Sequence, residues 1–270
     1  MGLFDVHAHL THPRLRQDID GVLERAREAG LTRVISNGLN LPDNQAVRAL
    51  AAQYPMVRPA FGLYPVDAVL PEMHAAGVEY PRAPDQHSAE EVAEWITDHA
   101  DEAIAVGEIG LDGYWVPEAF WDRQEAVLRT MLQVAQDVDL PVILHSRKRE
   151  RRTLEILVDM GVKRANFHCF SSKVKLGLRI ADAGYYLSIP ANARKAENFA
   201  ALLRKAPRDR LLLETDCPYL SPDRDALPCN EPATVAGTAA FAAELWDEPP
   251  EFVLELFEEN YRCLFGEDTQ

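Results

Sequence analysis

The sequence has little cysteine and an excess of acidic residues. Its four cysteines, Cys169, Cys217, Cys229 and Cys263, lie far apart with no C-x-x-C pair, which argues against a zinc knuckle or a redox dithiol. With 28 Lys and Arg against 43 Asp and Glu, the formal net charge is −15. Proteins that coat nucleic acid nonspecifically depend on clustered positive charge, so the composition argues against that class, although a local basic patch can still bind phosphate.

The sequence also has no apolar stretch long enough to span a bilayer, and no low-complexity tract or interdomain linker. We therefore expect no membrane association and a cytoplasmic location. With 47% hydrophobic and 26% charged residues, the composition is typical of a soluble globular protein. A single domain over residues 1–270 is the prediction, because β/α barrels commonly occupy about 250 residues.

Short apolar runs alternate with longer segments of helical periodicity, the pattern of successive βα units and therefore of parallel strands. Eight runs predict eight strands and an α/β fold, the (β/α)8 TIM barrel: Leu3–His9, Arg33–Ser36, Val57–Gly62, Ala103–Glu108, Pro141–His145, Ala165–His168, Tyr185–Ser188 and Arg210–Glu214. Helices are predicted at Gln17–Ala29, Pro42–Gln53, Ala89–Ala100, Pro117–Asp137, Arg149–Met160, Lys173–Ala183, Arg194–Lys205, Ala233–Leu245 and Pro250–Phe265. Gly30, Gly161 and Gly184 follow three of these helices, as C′ glycines should.

The segment Tyr64–His87 interrupts this alternation after the third strand and is rich in proline. Loops that follow barrel strands form the catalytic face, and loops this long are usually functional or disordered. One interpretation is that the segment is functional, as a lid, a substrate contact or a docking site for a protein partner. A tolerated surface insertion is an equally good one.

Six side chains that bind divalent metals close or directly follow these apolar runs: His7, His9, Glu108, His145, His168 and Asp216. In the first strand, alternation predicts Asp5, His7 and His9 on one face and Phe4, Val6 and Ala8 on the other. Each residue alone could be a satisfied core residue or, for a carboxylate, the partner of an arginine. If all six converged on one mouth of the barrel without a cation, their charges would be left without compensation. Metal coordination is therefore the simplest interpretation.

Four imidazoles and two carboxylates suit borderline divalent ions such as Zn²⁺ and Mn²⁺, and they suffice for two ions bridged by Glu108. Mg²⁺ usually takes fewer imidazoles. Such a site activates water and polarises an ester or phosphoryl oxygen, so hydrolysis is the predicted reaction class. Asp216 is placed to bind an ion and accept the proton of the water, while Glu214 and Asp112 are expected to orient the ligands.

Five ordered motifs make the sequence resemble the TatD family of metal-dependent deoxyribonucleases, within the amidohydrolase-type barrels. The motifs are Asp5-Val-His-Ala-His-Leu10, Val106-Gly-Glu-Ile-Gly-Leu-Asp112, Leu140-Pro-Val-Ile-Leu-His-Ser-Arg147, Phe167-His-Cys-Phe-Ser171 and Leu212-Leu-Glu-Thr-Asp-Cys-Pro-Tyr-Leu220. The resemblance implies a (β/α)8 barrel with one to three divalent ions, Zn, Mn or Mg, that cleaves phosphodiester bonds in DNA, typically as a 3′ to 5′ exonuclease. The metal-ligand positions of the family map onto the six residues above, with Asp216 and Glu108 in catalytic roles.

The sequence departs from the family pattern at three places. Tyr64 stands where the family usually has a histidine, and Cys229 where it usually has an arginine. The acid that commonly follows Arg147 is absent, and the stretch 147–152 is five-sixths basic. Tyr64, Arg147 and Lys148 are therefore the predicted substrate contacts, and a solvated helix start is the interpretation favoured for residues 151–152.

Tyr114 and Trp115 follow the Glu108 motif and could stack on a base, or they could pack against the rim of the barrel.

Two other functions remain open at this point. One is hydrolysis of a different small ester, lactone or amide, because the barrel and its metal ligands do not fix the substrate. The other is a barrel subunit that keeps its metal for stability inside a nucleic-acid-processing or defence assembly.

Overall fold

Eight parallel strands form one sheet in the order of the sequence, β1 to β8, in a computed structural model that describes residues 2–266. The strands are β1 Leu3–Ala8, β2 Leu31–Asn37, β3 Val57–Phe61, β4 Ala105–Asp112, β5 Val142–Arg147, β6 Ala165–Phe167, β7 Tyr186–Ile189 and β8 Leu211–Leu213. The segment after β8 closes the barrel onto β1, where the backbone N–H of Asp216 donates to the carbonyl of His7 over 2.9 Å. The predicted (β/α)8 barrel is confirmed.

Eleven α-helices are described in residues 2–266: α1 Pro13–Arg16, α2 Ile19–Glu28, α3 Leu41–Gln53, α4 Leu70–Ala75, α5 Ala89–Asp98, α6 Trp121–Asp137, α7 Glu150–Asp159, α8 Val174–Asp182, α9 Glu197–Lys205, α10 Val235–Trp246 and α11 Pro250–Phe265. None of the helices in this range is long and apolar enough to cross a membrane. Gly30, Gly161 and Gly184 follow α2, α7 and α8 with φ of 91°, 68° and 90°, the left-handed conformation that a C′ glycine supplies.

Two predicted boundaries and one segment predicted to be irregular differ from the structure. The fourth strand does not end at Glu108 but continues to Asp112, because Ile109–Asp112 pairs with β5 up to Arg147. The predicted helix Arg194–Lys205 begins at Glu197, after a separate 3₁₀ turn. The insertion Tyr64–His87 is less irregular than expected, since it contains a 3₁₀ turn and α4.

The first strand does not alternate as predicted. Its register with β2 shifts between Asp5 and Ala8. Val6 packs with Ile35, whereas Ala8 belongs to the other large apolar cluster, so the two do not share a face. A bulge of this kind re-aims the side chains that follow it, and it allows His7 and His9 to reach the same cavity.

Two apolar clusters hold the barrel. The larger packs the helices against the strands. The smaller takes one side chain from each of seven strands, including Val6 and Ile143, and joins them to α11 through Tyr261, Leu264 and Phe265. Tyr261 also stacks on Phe4, with ring centroids 4.2 Å apart. Since Ile143 lies two residues before His145 in β5, α11 fills the end of the barrel opposite the predicted metal ligands.

Candidate metal centre

Glu108 lies at the centre of the predicted ligand set, between two pairs of histidines. Its Oε1 is 3.0 Å from Nδ1 of His145 and 3.1 Å from Nε2 of His168. Its Oε2 is 3.5 Å from Nε2 of both His7 and His9. Glu108 is 2% exposed, so a buried carboxylate faces four imidazoles, each carboxylate oxygen facing one pair.

Asp216 completes the set on the side of His7 and His9. Its Oδ1 lies 3.4 Å from Nε2 of His9 and 3.8 Å from Nε2 of His7. Its φ of 53° is the left-handed conformation, which the backbone hydrogen bond to β1 helps to hold. The structure thus brings all six predicted ligands together, although the six residues lie on five different strands or strand ends.

The charges in this cluster stabilise one another. Burial raises the pKa of Glu108, but His168, His145 and His7 outweigh it and hold that pKa well below its ordinary value. Burial lowers the pKa of His168, but Glu108 and Glu214 outweigh it and hold that pKa well above its ordinary value. The negative charge of Glu108 is therefore balanced by a protonated histidine. A bound cation can supply this positive charge instead.

The donor set fits a divalent cation. The ligand atoms of His7, Glu108 and His168 all lie within 4.8 Å of one another, as do those of His7, His9 and Asp216. Nε2 of His7 and Nε2 of His9 face each other across 3.3 Å, an arrangement of two nitrogen donors that suits a shared ion.

Neighbouring groups orient the histidine rings. Nδ1 of His9 is 3.3 Å from the carbonyl of Asn37, which leaves Nε2 for the cavity when Nδ1 carries the proton. Nε2 of His145 is 2.9 Å from Oδ2 of Asp112. On the far side of His168, Nδ1 is 3.8 Å from Oε1 of Glu214. Asp112 and Glu214 thus lie where the sequence predicted ligand-orienting carboxylates.

Asp5 has a role that the sequence did not reveal. Instead of facing the cavity with His7 and His9, it accepts hydrogen bonds from the backbone N–H of Thr215 over 3.0 Å and from its hydroxyl over 2.5 Å. Burial raises the pKa of Asp5 to about 8 in spite of these bonds. Asp5 therefore fixes the residue directly before Asp216.

The predicted substrate contacts surround the cavity. Tyr64 meets the ring of His145 edge-on, with centroids 5.0 Å apart. Arg147 is exposed and its guanidinium carbon lies 3.8 Å from the ring centre of Tyr114, with Nζ of Lys148 5.8 Å from the same ring. Tyr114 and Trp115 are 52% and 42% exposed, so the two aromatics form a surface at the mouth and not a packed rim.

Two residues near the mouth were missed. Arg82, in the insertion, lies 2.5 Å from Asp67 and places its guanidinium carbon 5.8 Å from the ring centre of Tyr64. Tyr219, half exposed, meets the ring of His9 at 6.2 Å. No local signal marks Arg82, because its position depends on how the insertion folds back. Tyr219 follows Asp216 closely and could have been found from that motif.

The departure from the family pattern at Cys229 lies outside the cluster. Cys229 is packed against the larger apolar core, and its Sγ is 3.9 Å from the carbonyl of Asn230. The side-chain amide of Asn230 donates to the carbonyl of Thr215 over 2.9 Å. This segment therefore supports the loop that carries Asp216.

Comparisons with known proteins agree with this geometry. The family described as TatD related DNase matches residues 4–266. The Bacillus subtilis protein named uncharacterized metal-dependent hydrolase YabD is 30% identical over 97% of this chain and 98% of its own. The 3′-5′ ssDNA/RNA exonuclease TatD of Citrobacter koseri is 30% identical over 98% and 99%. The crystal structure of the Escherichia coli TatD homologue YjjV superposes with a TM-score of 0.84 at 27% identity, covering 98% of each chain. This chain therefore belongs to the TatD-related DNase family, whose members include metal-dependent hydrolases.

Proposed function

We propose that the protein removes nucleotides from the 3′ end of single-stranded DNA with two divalent ions. The observation that carries the proposal is Glu108, which faces one pair of histidines with each carboxylate oxygen. The exonuclease named TatD, similar over almost the whole of both chains, supports the choice of substrate.

The residues divide between two ion positions. His7, His9, Glu108 and Asp216 would hold one ion, and Glu108, His145 and His168 the other. The nitrogen-rich donor set favours Zn²⁺ or Mn²⁺ over Mg²⁺. Bound there, such ions lower the pKa of water and neutralise charge on phosphate oxygens.

The residues of the chain supply the remaining chemistry. The pKa of Asp216 lies below its ordinary value, because hydrogen bonding to His9 and the charge of His168 outweigh its burial. It is therefore a carboxylate at neutral pH and accepts a proton from the attacking water. The oxygen of that water bonds to phosphorus, the bond from phosphorus to the 3′ oxygen of the preceding nucleotide breaks, and that oxygen takes a proton. The products are a 5′-mononucleotide and a strand one residue shorter.

Of the three predicted substrate contacts, Tyr64 faces the reacting phosphate in this proposal, and Arg147 and Lys148 face the next phosphate along the strand. Burial, and then the charge of Glu108, raise the pKa of Tyr64 well above its ordinary value, so the phenol stays protonated and donates a hydrogen bond. Arg147 binds a phosphate while its planar group stacks on Tyr114. Lys148 adds positive charge beside it.

The test uses purified protein, a single strand labelled at its 5′ end, and Mn²⁺, Mg²⁺ or Zn²⁺ in turn. We expect a ladder of products shortened from the 3′ end, abolished by chelator and in His145→Ala. No shortening with any of the three metals, in protein shown to be folded and loaded, would contradict the proposal. Turnover of a generic ester under those conditions would instead favour a different hydrolase.

The roles of the site residues remain predictions, and so do three others from the sequence: the single domain over 1–270, whose ends lie outside the described residues, protein partners at the insertion 64–87, and the cytoplasmic location.

A further inference from the structure

A basic groove of about 610 Å³ lies between α7 and α8. Seven of its eleven lining residues are Lys or Arg, a quarter of the 28 in the chain, although the chain carries a net charge of −15. The two acidic residues in the lining are Glu150 and Glu155. Positive charge is therefore concentrated in one concave surface.

Two of the seven basic residues are already paired. Arg149 and Arg152 both bind the carboxylate of Glu125, and Arg149 also lies 4.0 Å over the ring of Trp121. Of the acids in the lining, Glu155 lies 3.5 Å from Arg152, and Glu150 accepts the backbone N–H of Lys148.

The other five basic residues form no ion pair with a carboxylate in the part of the chain that the structure describes. They are Lys148, Arg151, Lys173, Lys175 and Arg179. All five are exposed, so they are available to an anionic ligand.

The groove lies beside the loops that follow β5 and β6, at the end of the barrel that carries the metal centre. Lys148 follows His145 by three residues on the loop after β5, and Lys173 follows His168 by five residues on the loop after β6. Both loops lead into helices whose N-terminal residues, Arg149 and Lys173, make no side-chain cap. Positive side chains are unfavourable at a helix N-terminus unless an anion is near. Glu125 supplies that anion for Arg149, whereas Lys173 at the start of α8 has no carboxylate partner among the described residues.

We propose that this groove binds the phosphates of the substrate strand on the 5′ side of the nucleotide being removed. Tyr114 contacts Arg147 and the groove residue Lys148, and its backbone is held by Asp112, which also contacts His145. In the proposal, a strand whose 3′ end is at Glu108 therefore continues past Tyr114 into the groove. Proteins bind single strands irrespective of sequence with Lys and Arg along the sugar-phosphate backbone and with exposed aromatic side chains on which the bases stack. The groove and Tyr114 offer both features. The inference rests on the proposed function, because that function defines which end of the strand reaches the metals.

The test compares two double charge reversals that change the net charge equally. Lys173→Glu with Lys175→Glu alters the groove. Lys163→Glu with Lys205→Glu alters exposed lysines on segments that lead into β6 and β8, at the opposite end of the barrel. Each is assayed on a labelled oligothymidylate of roughly twenty nucleotides and on bis(p-nitrophenyl) phosphate, which is too small to reach the groove. Binding of the same oligonucleotide is measured in chelator by fluorescence anisotropy.

We expect the groove variant to raise KM for the oligonucleotide by at least about fivefold relative to the control, with turnover of the small diester unchanged. The slope of log Kd against log salt should fall by roughly 1.4, the share of two phosphate contacts on a single strand. If the two variants had equal KM for the oligonucleotide and bound it equally well, the groove would not be a binding site for the substrate strand. If the neutral Lys173→Gln with Lys175→Gln is needed because the reversal unfolds the chain, the same comparison applies with a smaller effect.

The anisotropy measurement separates the two proposals. If the wild-type protein cleaves no strand, the proposed function fails. The groove still stands if binding is weakened in the groove variant alone, and it fails if both variants bind as the wild type does.

Discussion

The carboxylate of Asp112 lies 2.9 Å from Nε2 of His145, on the opposite side of the ring from Glu108, which is 3.0 Å from Nδ1. The other oxygen of Asp112 accepts the backbone N–H groups of Tyr114 and Trp115 over 2.7 and 2.6 Å. One carboxylate therefore fixes both the ring that faces the metal centre and the start of the aromatic surface at its mouth.

Asp112→Asn should weaken metal binding by about 10- to 100-fold, the usual effect of losing a group that orients a ligand. In this variant the two backbone N–H groups hold the amide oxygen of the introduced asparagine, so the amide N–H faces Nε2 of His145. A donor at that place disfavours a proton on Nε2, and the proton moves to Nδ1, the nitrogen that faces the metal centre. Competition with a chelating dye measures the affinity. The exposed Asp137→Asn is the control, and equal affinities in the two variants would contradict the role of Asp112.

Arg147→Ala should raise KM for single-stranded DNA about tenfold and leave kcat for a small diester within about twofold. The guanidinium lies at the mouth, stacked on Tyr114, and loses a charge-assisted contact worth about 1.5 kcal/mol. Arg129→Ala, which removes an exposed arginine paired with Asp159, is the matched control. A KM equal to that of the control would show that Arg147 does not bind substrate.

Tyr64→Phe should lower kcat/KM by roughly tenfold, the contribution of one hydrogen bond to a charged group. Because the pKa of Tyr64 lies well above its ordinary value, the wild-type phenol stays protonated through the range in which activity is measured. The ratio of wild-type to variant kcat/KM should therefore be constant from pH 7 to about 9. A ratio that declines across this interval would mean that the phenol ionises.

Asp67 should make the free energy of unfolding depend on pH in the acidic range. Although Arg82 lies 2.5 Å away, burial outweighs this and raises the pKa of Asp67 from 3.8 to about 6. The folded state then holds the proton more tightly than the unfolded state, so this contribution to stability is fully present below pH 3.8 and is lost as pH rises through 6. The difference of about two pKa units corresponds to about 3 kcal/mol.

Urea unfolding of the wild type and Asp67→Asn in chelator, at several pH values between about 4 and 7.5, measures this effect. The wild type should lose stability relative to the variant as pH rises. A difference that stays constant, or that changes in the opposite direction, would contradict the assignment.

Gly110→Ala should destabilise the fold by about 3 kcal/mol or more. A Cβ at Gly110 would lie 1.8 Å from the carbonyl oxygen of His145, and φ is +149°. Gly161→Ala, where φ is +68° with open space around it, should cost only about 1 kcal/mol. Urea unfolding of the two variants in chelator makes the comparison, and similar losses would show that the contact with His145 relaxes easily.

The sequence predicted the barrel and the convergence of the six candidate ligands because both depend on local patterns. Each ligand closes or follows an apolar run, and parallel strands bring their carboxyl ends to one mouth. It did not predict that β4 continues past Glu108, since that extension depends on pairing with β5. The bulge in β1 was also missed, because strict alternation assumes an undisturbed register.

The surroundings of the site were harder to predict for a related reason. Arg82 reaches Tyr64 only because the insertion folds back on its own beginning, where Arg82 also contacts Asp67, and composition does not reveal such a contact. Likewise, the basic stretch after Arg147 is visible in the sequence, but Lys173, Lys175 and Arg179 join it only when α7 and α8 pack side by side.

Tyr261, Leu264 and Phe265 fill the end of the barrel opposite the candidate metal ligands, and this packing has a kinetic consequence. With that end filled in the described structure, the proposed function requires water, metal ions, strand and released nucleotide to pass through the same opening. A strand seated in that opening then blocks the escape of the ions beneath it. Loss of the ions to a chelator should accordingly be slow during turnover on long strands and fast once the strands are exhausted, so that the substrate itself preserves the active enzyme.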